Sequence, residues 1–234
     1  MNRFFVENIS HGNCELSETV SRQIAVVLRM RPGERIVLLD NKGYLAEAII
    51  SFVDKKRVIV DIKKPTEINN EPNLKITLYQ SLPKADKMAG IIRRCTELGV
   101  SAVQPVETAR SVARLSEGRL ERWREIVREA AEQCGRGLIP AVAAPVGFDA
   151  ALAGLTEDKL LVCAPGGQSL KNYPLTTNHY SLFIGPEGGF DDNEIKALAA
   201  KGAKIIGLGP RILRCETAGT AALAVLMAMG GEWA

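Results

Sequence analysis

The most informative part of the sequence is FIGPEGGF at residues 183–190, a short strand that runs into a glycine-rich turn. Apolar residues before the turn are typical of a buried strand, and Asp191 followed by Glu194 predicts the capping box of a helix. Because glycine has no Cβ, a ligand can approach the backbone of such a turn. The same sequence is also compatible with a tight strand-to-helix turn that binds nothing. It is neither a GxGxxG fingerprint nor a P-loop, since no Gly-Lys-Ser/Thr follows.

A second junction of this kind lies further along, IGLGPRILRCETAGT at residues 206–220. Again a strand ends in a Gly-Pro turn, and a polar segment precedes a helix. Ligands of open α/β sheets bind at the carboxyl ends of the strands, so two such loops can form one pocket. The alternative is a polar cap, with Glu216 and Thr217 acting only at the start of the helix.

Outward from these loops, strands alternate with helices from residue 73 onward, which predicts a mostly parallel sheet covered on both faces. The predicted strands are residues 75–82, 102–106, 159–164, 180–184 and 203–208.

Two helices between these strands have a clear apolar face. The helix at 83–98 is predicted to end at Gly99 in a left-handed cap. Its apolar face is formed by Met88, Ile91, Ile92, Cys95 and Leu98. The helix at 116–134 is predicted to bury Leu120, Trp123, Val127, Ala130, Ala131 and Cys134. The apolar tail at 218–229 is too short to cross a bilayer and predicts a helix in the core or at a subunit contact.

The first 70 residues have a different pattern, with short β segments separated by turns. Strands are predicted at 35–39, 44–50 and 57–62. The polar stretch at 67–73 is a candidate linker, so we expect two domains.

Composition excludes several classes of protein. Hydrophobic residues make up 46% and charged residues 24% of the 234 residues, which is typical of a globular protein and not of a disordered one. The net charge of +3 gives little support for a polyanionic partner by itself. The five cysteines are scattered without a CxxC spacing, so we expect reduced thiols in or near the core and no metal site. No signal peptide or membrane span is indicated, which predicts a cytoplasmic protein.

Five motifs, taken together, resemble one known family across nearly the whole chain. They are KADKM at 84–88, TELGV at 96–100, EQCGR at 132–136, GPEGGF at 185–190 and LGPRILRCETAG at 208–219. In this order they resemble the RsmE family of SPOUT-class methyltransferases. One departure is the pair Ala218 and Gly219, small residues where bulkier ones often occur, which affects how the following helix packs.

The resemblance implies an α/β fold with two domains. Residues 1–70 would form a PUA-like β-barrel, and residues 73–234 a SPOUT α/β-knot domain with a trefoil knot at its S-adenosylmethionine site. It further implies that a homodimer methylates N3 of a uridine in 16S ribosomal RNA of the small subunit. Because N3 of uridine carries a proton, the reaction needs a base or a group that stabilises the developing anion.

The resemblance also implies which residues hold the cofactor, while the candidates for catalysis and RNA binding follow from the chemistry of the reaction and the charges of the side chains. The cofactor would be held by Gly185, Pro186, Glu187, Gly188, Gly189, Leu208, Gly209, Ile212, Leu213 and Arg214. For catalysis, Arg214 would stabilise charge on the uracil oxygens, while Glu216 would accept the proton or only orient Arg214. RNA contacts are expected from Arg3, Lys84, Lys87, Arg93, Arg94, Arg110, Arg114, Gln133 and Arg136, since residues 84–136 carry eleven basic against eight acidic side chains.

Two other functions remain open from the sequence. A ribosome assembly factor that binds RNA without catalysis would have the same β domain. An enzyme for another adenine-containing ligand would have the same pair of loops, because fold does not fix function.

Overall fold

The computed structural model describes residues 1–111, 117–155 and 159–233. The chain divides into two compact units: the first is Met1–Glu71 with Ala131–Ile139, and the second is Pro72–Ala130 with Pro140–Ala234. The domain ranges 1–70 and 73–234 stay a prediction. Helix α3, described below, begins in the second unit and ends in the first.

The first unit is built on a mixed six-stranded sheet. Its strands are β1 (Asn2–Phe5), β2 (Gly12–Glu15), β3 (Arg35–Leu39), β4 (Tyr44–Val53), β5 (Val58–Ile62) and β6 (Thr66–Glu67). The order is β1-β3-β4-β5-β2, with β6 beside β4, and only the β1–β3 pair of these described pairs is parallel. The three strands predicted from the sequence are confirmed. Helix α1 (Glu18–Arg22) and the π-helical turn Gln23–Val27 were not predicted.

Residues from the end of α3 complete the core of the first unit. Ala131 is fully buried with Phe5, Val37 and Leu39 on the face of the sheet. The carboxylate of Glu132 accepts a hydrogen bond from the amide of Phe5 at 2.9 Å.

The second unit contains a seven-stranded sheet in which every described pair of strands is parallel, as predicted. The strands are β7 (Lys75–Ser81), β8 (Ala102–Glu107), β9 (Ala141–Val142), β10 (Val146–Gly147), β11 (Lys159–Ser169), β12 (His179–Ile184) and β13 (Lys204–Gly207). Their order is β10-β8-β7-β12-β11-β13, with β9 beside β8. The trefoil knot stays a prediction.

Helices cover both faces of this sheet. The helices after residue 72 are α2 (Lys87–Glu97), α3 (Glu117–Cys134), α4 (Phe148–Ala153), α5 (Asp192–Ala200) and α6 (Cys215–Met229), and a 3-10 turn lies at Leu170–Asn172. Helices α4 and α5 pack on the face where the rings of Tyr79 and Phe183 stack at 4.4 Å, while α2 and α6 pack against each other. Within the described ranges, no helix has the length and apolarity that crossing a bilayer requires.

Helix α2 begins at Lys87 rather than at Pro83, because Ala85 has a φ of 56°, which is incompatible with a right-handed helix. Its buried face is Met88, Ile91, Ile92 and Cys95, as predicted, with Leu98 half-buried. Gly99 has a φ of 97°, which confirms the left-handed cap.

Helix α3 buries Trp123, Val127, Ala130 and Ala131, but the prediction that Cys134 is buried is wrong. Cys134 is the last helical residue, and it is exposed where the chain turns at Gly135 (φ 81°).

Helix α6 buries one face, which includes Ala222, Leu223, Leu226 and Met227. Ala221 and Val225 on the other side are only half-buried. The tail is therefore a helix packed on the sheet, as predicted. Its role at a subunit contact stays a prediction.

Candidate functional site

A cavity of about 360 Å³ opens where β11 and β13 end. It is lined by residues 163–167, Ser169, residues 207–213 and Ala218. Four residues predicted to hold a cofactor lie in this lining: Leu208, Gly209, Ile212 and Leu213. The volume lies within the range of small-molecule sites, roughly 300 to 1,000 Å³.

Two glycines bring the walls of the cavity into backbone contact. A Cβ on Gly167 would lie 2.6 Å from the carbonyl carbon of Ile206, and a Cβ on Gly207 would lie 2.8 Å from the carbonyl oxygen of Gly167. Both distances are too short for any side chain, so only glycine permits this crossing. The crossing follows a register shift between Cys163 and Gln168, after which β11 pairs with β13 again.

Sequence reasoning missed the wall formed by residues 163–167. Its sequence, CAPGG, contains a Pro-Gly-Gly turn after an apolar strand, and glycine and proline after an apolar strand also identified the other two loops. A search for every glycine-rich turn at the carboxyl end of a predicted parallel strand would have found it.

The loop at 185–190 lies beside this cavity without lining it. It follows β12, whose last residue Ile184 is in register with Cys163 of β11. The amide of Gly189 donates to the carbonyl of Pro186 at 2.9 Å, which closes a β-turn. Gly189 has a φ of 69°, a conformation that favours glycine, and the space around its Cβ position is open.

A cluster of three charges joins this loop to the start of α6. The ammonium of Lys87 lies 3.1 Å from a carboxylate oxygen of Glu187 and 3.2 Å from one of Glu216. The amide of Lys84 donates to the same Glu187 oxygen at 3.1 Å. Because one ammonium faces two carboxylates, the cluster has a net charge of −1 when all three groups are ionised.

The contacts within the cluster favour the charged form of each group. Hydrogen bonds to Glu187 and then to Glu216 raise the pKa of Lys87. Burial pushes the pKa of Glu187 upward, but hydrogen bonds from its own amide, from Lys87 and from the Lys84 amide outweigh burial and lower it. The pKa of Glu216 is lowered mainly by a hydrogen bond from its own amide, with further contributions from the Cys215 thiol and Lys87. Burial raises the pKa of Cys215 to about 12, so its thiol stays protonated.

Arg214, predicted for both cofactor binding and catalysis, is the N-cap residue of α6. Its carbonyl accepts hydrogen bonds from the amides of Thr217 and Ala218 at 2.9 and 2.8 Å. The residue is exposed and does not line the cavity. It lies between Leu213 in the cavity wall and Glu216 in the charge cluster.

The nine residues predicted to contact RNA differ in their exposure and in their contacts within the protein. Lys84, Arg93 and Arg94 are exposed, as a phosphate contact requires. Arg3 is also exposed, and its guanidinium donates to the carbonyl of Gln133 at 3.2 Å. Arg114 lies outside the described residues.

Arg136 differs from the other predicted RNA contacts because it is buried, with 7% of the residue exposed. Its guanidinium pairs with the carboxylate of Glu71 in the same unit. This burial argues for a structural role and against a contact with RNA.

Lys87 and Arg110 both contact the loop at 185–190. Lys87 belongs to the charge cluster. The Nη1 atom of Arg110 donates to the carbonyl of Gly188 at 2.8 Å and to that of Phe190 at 3.4 Å.

A larger cavity, of about 740 Å³, lies at the amino ends of β11 and β13. Lys159, Lys201 and Lys204 line it, and none of the three glycine-rich turns contributes to its walls. Ligands of parallel sheets bind at the opposite, carboxyl ends, so the smaller cavity is the candidate site.

Comparison with known proteins gives the class. The family described as "RNA methyltransferase domain" matches residues 69–227, and the family described as "RNA methyltransferase PUA domain" matches residues 24–63. The chain is thus an RNA methyltransferase with a SPOUT α/β fold and an N-terminal PUA domain built on a mixed sheet.

Individual relatives narrow the class. Ribosomal RNA small subunit methyltransferase E of Synechocystis is 37% identical to this chain, and the match covers 95% of this chain and 75% of that protein. The Bacillus subtilis protein of the same name is 32% identical, and the match covers 97% of this chain and 96% of that protein. The solved structure of the Neisseria gonorrhoeae protein of the same name, bound to S-adenosyl methionine, matches with a TM-score of 0.92 at 35% identity over 98% of each chain. A Legionella pneumophila structure with bound cofactor SAM matches with a TM-score of 0.92 at 35% identity over 97% of each chain. The chain belongs to the ribosomal RNA small subunit methyltransferase E family.

Proposed function

We propose that this protein transfers a methyl group from S-adenosylmethionine to N3 of one uridine in 16S ribosomal RNA, acting as a cytoplasmic homodimer. The observation that carries the proposal is the cavity at the carboxyl ends of β11 and β13, next to the charge cluster of Lys87, Glu187 and Glu216. Family membership supports the enzyme class, and two solved relatives contain this cofactor.

The residues present fit S-adenosylmethionine. Walls made of backbone and small residues, such as Gly167, Gly207 and Ala218, leave room for a flat adenine and offer amide and carbonyl groups to it. Leu208 and Leu213 of the same lining supply apolar side chains, whereas Ile212 at its edge is 87% exposed. The net negative cluster beside the cavity favours a cationic ligand. When bound, the cofactor supplies an activated methyl group on a positively charged sulfonium.

Arg214 has the position and charge to assist the target base. As the proton leaves N3, negative charge spreads onto the uracil oxygens, and the exposed guanidinium of Arg214, which follows Leu213 of the cavity wall in the chain, can stabilise this charge. Arg214→Ala should therefore reduce kcat by about 100-fold or more, while the Kd for the cofactor changes little. Calorimetry and single-turnover rates measure the two quantities, and a normal methylation rate would remove Arg214 from the mechanism.

Glu216 fits a supporting role better than that of a base. A carboxylate whose pKa lies below its ordinary value is a weak acceptor of protons at neutral pH. Its contact with Lys87 at 3.2 Å fixes its side chain beside the first turn of α6, next to Arg214. The described side-chain contacts of the Glu216 carboxylate are with Lys87 and the Cys215 thiol, so we infer that it contributes negative potential near the sulfonium and does not orient Arg214.

The surfaces for RNA and for a second subunit follow from exposure and charge. Lys84, Arg93 and Arg94 form a basic, exposed segment that can contact phosphates. The half-buried apolar side of α6, with Ala221 and Val225, is where we place the contact between subunits.

The test is a methyl-transfer assay on small ribosomal subunits from a strain that lacks this family's enzyme, with mass spectrometry of the RNA. We expect 3-methyluridine at a single site. Binding of both the cofactor and the subunit without transfer would instead favour the assembly factor that acts without catalysis. Failure to bind S-adenosylmethionine, with tight binding of another adenine-containing ligand, would favour the other enzyme.

A further inference from the structure

We propose that Arg110 is a positioning residue for the cofactor site: it holds the glycine-rich loop at 185–190 in place, and it is not an RNA contact. The guanidinium donates to two carbonyl oxygens of this loop, those of Gly188 and Phe190, at 2.8 and 3.4 Å. Hydrogen bonds from a charged donor are about twice as strong as neutral ones. The proposal rests on the assignment of this loop to the cofactor site.

The packing of Gly188 gives independent support. A Cβ on Gly188 would lie 3.3 Å from Cδ and 3.4 Å from Cβ of Arg110. The side chain of Arg110 thus covers the bare face of this glycine along its aliphatic part, not only at its charged end. The glycine at 188 makes room for the arginine, so the two residues form one packed unit.

The segment that carries Arg110 is itself anchored to the same loop. The buried carboxylate of Glu194 accepts the amide of Ala109 at 2.8 Å with one oxygen and the amide of Asp191 at 2.9 Å with the other. Ser111 closes the turn through the amide of Thr108 at 3.1 Å. A single buried group therefore fixes the backbone before Arg110 and the backbone after Phe190, so the exposed side chain of Arg110 starts from a backbone position that is tied to the loop.

Two parts of the chain contact the loop at 185–190. One is the segment with Arg110, and the other is α2, from which Lys87 binds the carboxylate of Glu187. Without Arg110, the carbonyls of Gly188 and Phe190 lose this donor, and the loop keeps the Lys87 and Lys84 contacts to Glu187 and its internal turn. An additional share of the binding free energy must then order the loop, which weakens cofactor binding.

The experiment separates this role from RNA binding. S-adenosylmethionine affinity is measured by calorimetry without RNA, and subunit affinity by filter binding at several salt concentrations with the cofactor saturating. We expect Arg110→Ala to weaken S-adenosylmethionine about tenfold and to change subunit affinity less than about twofold. Arg110→Lys should recover part of the loss, since an ammonium can still donate to one carbonyl. Lys196→Ala, which removes an exposed positive charge from α5, is the control and should change neither quantity.

The opposite pattern would overturn the proposal: normal cofactor affinity of Arg110→Ala with weaker subunit binding and a smaller salt dependence. Thermal melting without the cofactor shows whether each variant folds. If Arg110→Ala does not fold, Arg110→Met, which keeps the aliphatic part of the side chain but has no donor, replaces it, and a cofactor affinity equal to the wild type overturns the proposal in the same way.

A second variant distinguishes failure of this proposal from failure of the loop assignment. Gly189→Val strains the loop at a φ of 69° without contacting any neighbour at its Cβ. If Gly189→Val binds the cofactor normally, the loop is not part of the cofactor site, and the positioning role of Arg110 is refuted as well. If Gly189→Val loses affinity while Arg110→Ala does not, only the positioning role is refuted.

Discussion

Replacing Gly167 with alanine should push the end of β11 away from β13 and deform the cavity between them. The added Cβ would lie 2.6 Å from the carbonyl carbon of Ile206, and 2.8 Å from both its nitrogen and its oxygen. Ordinary van der Waals contact begins near 3.4 Å, so the two strands must separate by about 0.8 Å. All three atoms belong to backbone, so no side-chain rotation relieves the overlap.

Gly167→Ala should lower both the stability of the protein and its affinity for the cofactor. Overpacking of this kind destabilises a protein by about 1 to 3 kcal/mol. The same displacement moves one wall of a cavity of about 360 Å³, and a binding site that shifts by this amount loses contacts and hydrogen bonds to its ligand. We expect the affinity for S-adenosylmethionine to fall at least about tenfold, which corresponds to roughly 1.4 kcal/mol.

Calorimetry with S-adenosylmethionine and urea denaturation without it measure the two effects separately. Gly147→Ala is the matched control: Gly147 has a φ of −66°, and a Cβ there would meet nothing within 4 Å. It should keep the wild-type affinity, and because Gly147 is the N-cap residue of α4, the stability of the variant should fall by no more than about 1 kcal/mol. If Gly167→Ala binds the cofactor as tightly as the wild type, the cavity between β11 and β13 is not the cofactor site.

Two further predictions concern charges. Glu71→Ala removes the carboxylate that pairs with the buried guanidinium of Arg136, so we expect a loss of about 3 kcal/mol in the free energy of unfolding by urea denaturation, and a loss below about 1 kcal/mol would refute the structural role of the pair. The second concerns pH. Glu187 and Glu216 have a pKa below the ordinary 4.5, so their contribution to cofactor binding is present above pH 4.5 and is lost as the pH falls through their lowered pKa values. Lys87 has a pKa above the ordinary 10.5, so its contribution to the cluster is lost only at still higher pH. Cofactor affinity measured by calorimetry should therefore be flat between pH 5.5 and 8, and a titration within that window would contradict the charge state of this cluster.

The sequence was sufficient for five strands of the parallel sheet because each is a short apolar run bounded by a turn, but the two-residue strands β9 and β10 were not predicted because they are too short to form such a run. The sequence also failed where a strand continues through a turn. Pro165, Gly166 and Gly167 have the composition that ends a strand, so the predicted strand stopped at 164, whereas β11 resumes its pairing and ends at Ser169. Half of the cavity wall was missed for this reason.

The roles of the basic residues depend on contacts that local sequence does not contain. Arg110 and Gly188 are 78 residues apart, Lys87 and Glu187 are 100 apart, and Arg136 and Glu71 are 65 apart. A motif identifies these positions as basic, but the tertiary fold decides whether the charge faces a carbonyl, a carboxylate or solvent.

The small residues at the start of α6 have a physical explanation in the fold. A Cβ on Gly219 would lie 3.1 Å from the side-chain oxygen of Gln80, a fully buried residue of the central strand β7. Ala218, one residue earlier, lines the cavity. The pair lets the helix approach the sheet on one side and leaves room for a ligand on the other.

The assignment of Ala131–Ile139 to the first unit sets an order for folding during synthesis. Its sheet can form once Glu71 has been made, but the methyl group of Ala131 and the guanidinium that neutralises Glu71 are translated much later. At roughly 5 to 20 residues per second, the amino-terminal part waits several seconds with an incomplete core. A protein that ends at residue 71 would lack Ala131 and Arg136, so the core of the first unit would stay incomplete. A single cut in the chain therefore cannot release the first unit as an independent domain.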